Sequence, residues 1–256
     1  MRLLKQFLYG FFYLAILVSL IWLVYSFEFK PAPNCFDGKK NQEETGIDCG
    51  GSCISCEVQG LKPLSAGSAE FFGDDRVFSA VAEVKNLNAD YGTKSFGYEV
   101  NFYDSSGRLL ISKRGSDFIY SGENKNIIEA GIGITNGIPD RAEIKLINPG
   151  DIKWDNKKDF FADIPKLENI SAKIENNQIV VSGYVMNGKS LEFSRAIVSA
   201  FAVDNAGRRV GVSKTESKIG PFGTWNFNIF IPINKDAIKN IDLNATVKSA
   251  VIEALK

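Results

Sequence analysis

The sequence predicts a mainly β protein: an N-terminal transmembrane helix, a small disulfide-rich module and two tandem antiparallel β-sandwiches. Three observations carry this prediction. Phe7–Phe27 is an apolar run without a charged residue. All four cysteines lie between Cys35 and Cys56. The remainder repeats a strand-and-turn pattern at an offset of about 100 residues, the signature of a duplicated unit.

The apolar run reads FLYGFFYLAILVSLIWLVYSF. At ~1.5 Å per residue, a helix of that length matches a hydrocarbon core ~30 Å thick. A soluble helix would keep a polar face, and this run has none. Arg2, Lys5 and the α-amino group precede it, whereas Glu28-Phe29-Lys30 follows with little net charge. The positive-inside rule then places the tail, residues 1–6, in the cytoplasm and the C-terminal domains outside it. Trp22 and Tyr25 suit the outer headgroup region. The rival is a cleaved signal peptide, whose apolar core is normally ~7–15 residues and ends on small residues. Here the run, residues 7–27, is longer and ends Tyr25-Ser26-Phe27-Glu28-Phe29, so an uncleaved signal-anchor in a cell membrane is expected. No cysteine follows closely enough for lipid attachment.

The chain beyond the span suits two domains of ~100 residues each. Lys+Arg and Asp+Glu balance at 30 each, without the basic excess that drives nucleic-acid binding, so that partner class is discounted. The absence of histidine removes Ser-His-Asp and Cys-His catalysis and His-ligated metal sites. Carboxylates such as Asp74, Asp75 or Asp117 remain able to do acid–base work, but no pattern singles out a site.

The cysteine-rich module covers residues 30–57. Pro31-Ala32-Pro33 is a stiff spacer that lifts it off the membrane. The module has too few apolar residues for a core, so covalent or coordinated links must hold it. Outside the cytoplasm, Cys35, Cys49, Cys53 and Cys56 imply two disulfides. Cys35–Cys49 with Cys53–Cys56, or Cys35–Cys53 with Cys49–Cys56, are the pairings expected. Asp37, Asn41, Glu44 and Asp48 supply oxygens around turns at Gly38 and Gly46, which suits calcium, although the spacing is not that of an EF-hand. The same residues also favour turns without any metal. A four-cysteine zinc site is a further reading, and it requires a reducing compartment.

Cys35, Asp37, Gly38, Asn41, Glu44, Asp48, Cys49, Gly50, Gly51 and Cys53 fit the pattern C-x-D-G-x-x-N-x-x-E-x-x-x-D-C-G-G-x-C. This stretch resembles a short repeat of exported and surface proteins of bacteria and archaea. The resemblance implies an extracytoplasmic location and no enzymatic activity.

The first β-sandwich is expected over 60–150 and the second over 165–256. Ser79–Asn86 alternates apolar and polar residues, the period of a half-buried strand, and its counterpart is Ile179–Asn187. Phe96–Asp104, closed by a turn at Gly107, matches Ala196–Asp204, closed at Gly207; Asp followed by small residues and Gly is a hairpin signal. Ser112-Lys113 and Ser213-Lys214 are read as keeping the register. Further turns fall at Ser121-Gly122 and Gly220–Gly223, the second leading into the strand Thr224–Pro232. Late strands are expected at Ala142–Ile147 and Ala245–Ile252, with one helical turn over Asp236–Asn240. Leu61–Gly73 reads as linker and first strand. Short strands with regular turns and few helices indicate antiparallel sandwiches.

Asn86, Phe102, Tyr103, Asp104 and Gly107, echoed by Asn187, Phe201, Asp204 and Gly207, resemble immunoglobulin-like domains with an F-x-x-Y-D-type hairpin. Val203 stands where the second aromatic would be. Such domains occur in exported bacterial and archaeal proteins beside membrane anchors, and the resemblance implies adhesion, spacing or presentation. The join lies near Asn148–Pro165, where Trp154, Phe160 and Phe161 pack one domain on the other or, alternatively, form a ligand patch. Asn169-Ile-Ser171 and Asn244-Ala-Thr246 fit the N-glycosylation pattern.

The expected function is therefore non-catalytic: a single-pass membrane protein presenting two immunoglobulin-like domains to an envelope protein or polysaccharide. The alternative is a self-assembling structural component of the envelope. A cell-envelope hydrolase using carboxylates is third.

Overall fold

The computed structural model describes residues 2–26, 34–41, 43–73 and 76–256, with side chains from Leu4 onward. The Pro31–Pro33 spacer, the Glu28–Lys30 flank and Asp74 and Asp75 lie outside the described residues. The chain divides into two compact units, Met1–Leu61 and Lys62–Lys256.

In the first unit, α1 spans Arg2–Val24. Leu4–Val24 has a mean hydropathy of 2.3 and no residue buried against protein, so the helix is long and apolar enough to cross a membrane. Its apolar side chains point in every direction, which removes the one-sided burial a globular core would impose. The helix begins earlier than the apolar run, because Arg2 and Lys5 are good helix formers.

The cysteine module is closed by Cys35–Cys53 and Cys49–Cys56, one of the two expected pairings, with no free thiol. The zinc reading is thereby corrected, since the four sulfurs are bonded to one another. A short helix, α2 (Cys56–Gln59), ends the module.

In the second unit, the first sandwich comprises β1 (Ser65–Ala66), β2 (Glu70–Gly73), β3 (Val77–Lys85), β4 (Tyr91–Tyr103), β5 (Leu109–Ile119), β6 (Asn124–Gly133), β7 (Arg141–Ile147) and β8 (Asp155–Asn156). The second comprises β9 (Lys166–Glu175), β10 (Gln178–Met186), β11 (Phe193–Val203), β12 (Arg209–Ile219), β13 (Thr224–Pro232), a 3-10 turn at Ile238–Asn240, α3 (Leu243–Lys248) and β14 (Val251–Leu255). All pairings are antiparallel. In the first sandwich, β3 sits between β6 and the short β1 and β2, and β4 sits between β5 and β7. In the second, β10 sits between β9 and β13, and β11 between β12 and β14. The two sandwiches thus share one strand order.

Each encloses its own core. Val84, Tyr98, Phe102, Ile119 and Ile127 are fully buried in the first, and Ile179, Val185, Phe193, Ile229 and Ile231 in the second. A buried asparagine ties each core to its loops. The Asn86 amide donates to the carbonyls of Tyr91 and Tyr120 and accepts from the Asn88 amide. Asn187 does the same toward Leu191, Gly220 and Lys189. Asp104 and Asp204 each brace the hairpin turn by accepting from the backbone N–H of Arg108 or Arg208.

The register differs from expectation in one hairpin. Phe102 pairs with Ile111 and Ala202 with Gly211, so Ser112 matches Val212 and Lys113 matches Ser213. Aligning the Ser-Lys pairs is off by one, and one residue reverses the face of a strand. For the same reason Phe201 is not the equivalent of Phe102. Phe102 points into the first core, and Phe201 points out of the second.

The late strand of the second copy also differs. Ala245–Ile252 is not a strand throughout: α3 takes Leu243–Lys248 and β14 begins at Val251. Asp242 caps the helix by accepting from the Ala245 N–H. Side-chain hydroxyls then replace part of a β ladder. Ser249 Oγ donates to the Phe201 carbonyl and accepts from the Phe201 N–H, and Thr246 Oγ1 accepts from the Val203 N–H.

Candidate functional site

The two sandwiches meet face to face. Val81 of β3 and Ile128 of β6 are paired across the first sandwich's outer face and pack on Phe201 and Val212 of the second. Phe118, Tyr120 and Phe160 pack on Ile197 of β11, with Tyr120 and Phe160 stacked at 4.5 Å. The Tyr120 hydroxyl donates to the Ala254 carbonyl of β14. Phe160 therefore follows the packing reading of the join; Trp154 packs on the first core, and Phe161 is half exposed beneath the Lys256 ammonium at 3.7 Å.

Charged groups cross the same junction. The Lys125 side chain on β6 is wholly buried, with Nζ 2.9 Å from Asp117 Oδ1 and 2.8 Å from Glu253 Oε2. The Phe118 ring lies 3.5 Å from that ammonium. Asp117 Oδ1 also accepts from the Phe118 N–H at 2.8 Å and faces Arg195 Nη1 at 3.6 Å. Arg195 is further held by Glu216 and by the Ser116 carbonyl. Nearby, the Tyr98 hydroxyl donates to Glu129, which also faces Lys113. Burial, and then the Glu129 hydrogen bond, push the Tyr98 hydroxyl far above its ordinary range. Burial likewise raises the Glu253 carboxyl against the opposing pull of Lys125. Sequence reasoning named Asp117 but missed Lys125, Arg195 and Glu253, which no spacing in the chain connects.

The opposite face of the second sandwich is open. At the positions equivalent to Val81 and Ile128 stand Ser182 and Asn228, paired across β10 and β13 and hydrogen-bonded at 2.7 Å. Phe230 is 53% exposed beside them. A groove of ≈ 600 Å³ runs from Asn228, Phe230 and Gln178 past Lys214 and Thr215 to Ala130 and Gly131 of the first sandwich. An exposed aromatic, two amides, a hydroxyl and an amine offer stacking and hydrogen bonding to a polar, extended ligand.

In the cysteine module the four oxygen-bearing side chains brace turns. The Asp48 carboxylate accepts from the N–H of Asp37 and Gly38, each at 3.0 Å. Asp37 accepts from the Lys39 N–H and from Asn41 Nδ2, and Glu44 accepts from the Asn41 N–H. This is the turn reading of these residues. Among the described residues, no group of three or more acidic or cysteine side chains is placed to hold a metal ion. The asparagines that fit the N-glycosylation pattern, Asn169 and Asn244, are both exposed.

Scanning the chain against protein-family models gives no match, and no curated protein matches it.

Proposed function

We propose that this chain is a single-pass, membrane-anchored extracytoplasmic protein, non-catalytic, whose two immunoglobulin-like sandwiches act as one rigid binding module at the cell envelope. The observation that carries this is the open face of the second sandwich. Its Ser182 and Asn228 occupy positions that are apolar and covered in the first copy, and Phe230 stands exposed beside them. α1 serves as the uncleaved anchor, with the N-terminus cytoplasmic, in keeping with Lys5 before the span and the oxidised cysteines after it. The ligand class is a hydroxyl- and amide-rich polymer, a polysaccharide or an extended segment of an envelope protein.

The experiment is retention of the purified full-length protein on envelope polysaccharide and on envelope protein fractions. Phe230→Ala combined with Asn228→Ala is expected to weaken retention at least tenfold, as loss of a stacking contact and a hydrogen bond would. Unchanged retention in that double variant, or retention on neither fraction, refutes the proposal. Protease digestion of intact cells tests the topology, since residues 34–256 are then accessible from outside.

A self-assembling structural component is the second reading. It is favoured by one observation: the junction joins unlike faces of equivalent domains, a geometry able to continue from chain to chain. Light scattering of the detergent-solubilised protein distinguishes the two, because assembly predicts mass growing with concentration.

A further inference from the structure

We propose that Lys125 and Asp117 condense into an intramolecular side-chain amide, with Glu253 carrying the proton. The inference rests on the burial and geometry of the cluster and is independent of any ligand. Lys125 Nζ lies 2.9 Å from Asp117 Oδ1. A C–O bond of ~1.23 Å then keeps Nζ within about 4 Å of Cγ, close to an attack distance. The side chains of both residues are nearly inaccessible to solvent, so the competing nucleophile, water, is kept out.

The groups around the carboxyl are placed for acyl transfer. Oδ1 accepts from the Phe118 N–H at 2.8 Å, and the Arg195 guanidinium, whose Nη1 donates to the Ser116 carbonyl, adds its positive charge at 3.6 Å. These stabilise the oxyanion of a tetrahedral adduct, as an oxyanion hole does. Glu253 Oε2, at 2.8 Å from Nζ, is within reach of the proton that must leave nitrogen. The steps balance. The Lys125 ammonium first passes a proton to Asp117, leaving a neutral amine and acid. The nitrogen lone pair attacks Cγ, and the charge moves to Oδ1. Glu253 takes a proton from nitrogen and returns one to Oδ2, which departs as water while the C=O bond re-forms. An ion pair becomes an amide and one water, with no oxidant or co-reactant. The driving force is the desolvation of two buried charges, which a neutral amide relieves.

The bond ties β5 to β6, and these strands belong to the two opposite sheets of the first sandwich. It would lock those sheets together where the second sandwich docks.

The test is the intact mass of the full-length protein purified in detergent, with disulfides reduced. The expected result is a mass short by one water. Trypsin should then leave residues 115–141 as a single peptide, because an acylated Lys125 is not cleaved. Asp117→Asn should lose ammonia in place of water. Lys125→Arg should show full mass, as should Glu253→Gln with a circular dichroism spectrum like that of the wild type. Full mass in the wild type overturns the proposal and leaves an ion pair. Water loss with normal cleavage at Lys125 overturns it in favour of a succinimide at Asp117. A cross-link from Lys125 to the peptide containing Glu253 overturns the choice of Asp117 as acyl partner.

Discussion

Phe201→Ala tests whether the two sandwiches stand as one cooperative body. The Phe201 ring leaves β11 on the outer face, is 6% exposed, and fills the contact between Val81, Ile128 and Val212. The Arg209 guanidinium lies 4.2 Å over its other side. Truncating a buried phenylalanine costs about 3–5 kcal/mol through lost transfer energy and the cavity left behind. The loss falls on the junction and not on either core, since Phe201 touches neither set of core residues. For a folded body of this size, 1 kcal/mol shifts Tm by about 2–4 °C, so the first transition should drop by roughly 10 °C. Scanning calorimetry of the full chain should show one transition for the β region in the wild type and two in the variant, as the sandwiches uncouple. A single transition with Tm within 2 °C of the wild type, on the scale of about 1 kcal/mol or less, would refute the reasoning.

Four further outcomes follow. Gly46→Ala should block the Cys49–Cys56 bond, because a Cβ there would stand 2.7 Å from Cys49 Sγ and 2.9 Å from Cys56 Sγ; two free thiols per chain should appear on titration. Asn86→Ala strands two carbonyls and one N–H in the first sandwich and should cost about 3–5 kcal/mol in denaturant unfolding, with Asn187→Ala costing as much in the second. Hydrogen bonds led by the Ser106 hydroxyl hold Asp104 at about 2, so its stabilisation is complete above the ordinary carboxylate range and fades as pH falls toward that value; Asp104→Asn should flatten the acid limb of the unfolding curve there. Glu123 is shifted the opposite way by burial, so the folded state holds its proton more tightly and stability declines as pH rises through the glutamate range; Glu123→Gln should remove that decline in thermal melts run across the same pH window.

The fold was legible where local chemistry decides it. Asp104 and Asp204, each followed three residues on by glycine, mark hairpins that exist, and Asn86 and Asn187 fall at the ends of equivalent strands. Four cysteines allow three pairings, and the sequence does not choose between them. The choice depends on Gly46, whose missing side chain leaves room for the Cys49–Cys56 sulfurs, and such a contact has no signature in spacing. The junction was less legible. β11 carries an unbroken buried run, Ala196–Ala202, because both of its faces are covered, and a run without alternation says nothing of what covers it. Lys125 reads as a surface lysine in an ordinary strand. Its burial is tolerable because Asp117 of β5 and Glu253, brought by β14 of the other domain, both face its ammonium.

The duplicated fold shows how one architecture is given two surfaces. Each copy has an outer face on β3 and β6, or β10 and β13, and another on β4, or β11. The junction joins the first kind from copy one to the second kind from copy two. At the covered positions stand Val81 and Ile128, facing Ile197 and Phe201. Their equivalents on the two faces that meet no other copy are Ser182 and Asn228, and Gly97 and Asn101, the last buried within its own copy and donating to Glu99. Covering a face and making it apolar have gone together in each copy, as the hydrophobic term requires. A third domain docking by the same contact would bury Ser182 and Asn228 against groups shaped for neither, at the cost of their hydrogen bonds to water. That cost counts against the self-assembling reading, whose geometry the junction otherwise allows. The polar face that opposes further stacking is the one that leaves Phe230 exposed at the mouth of the groove.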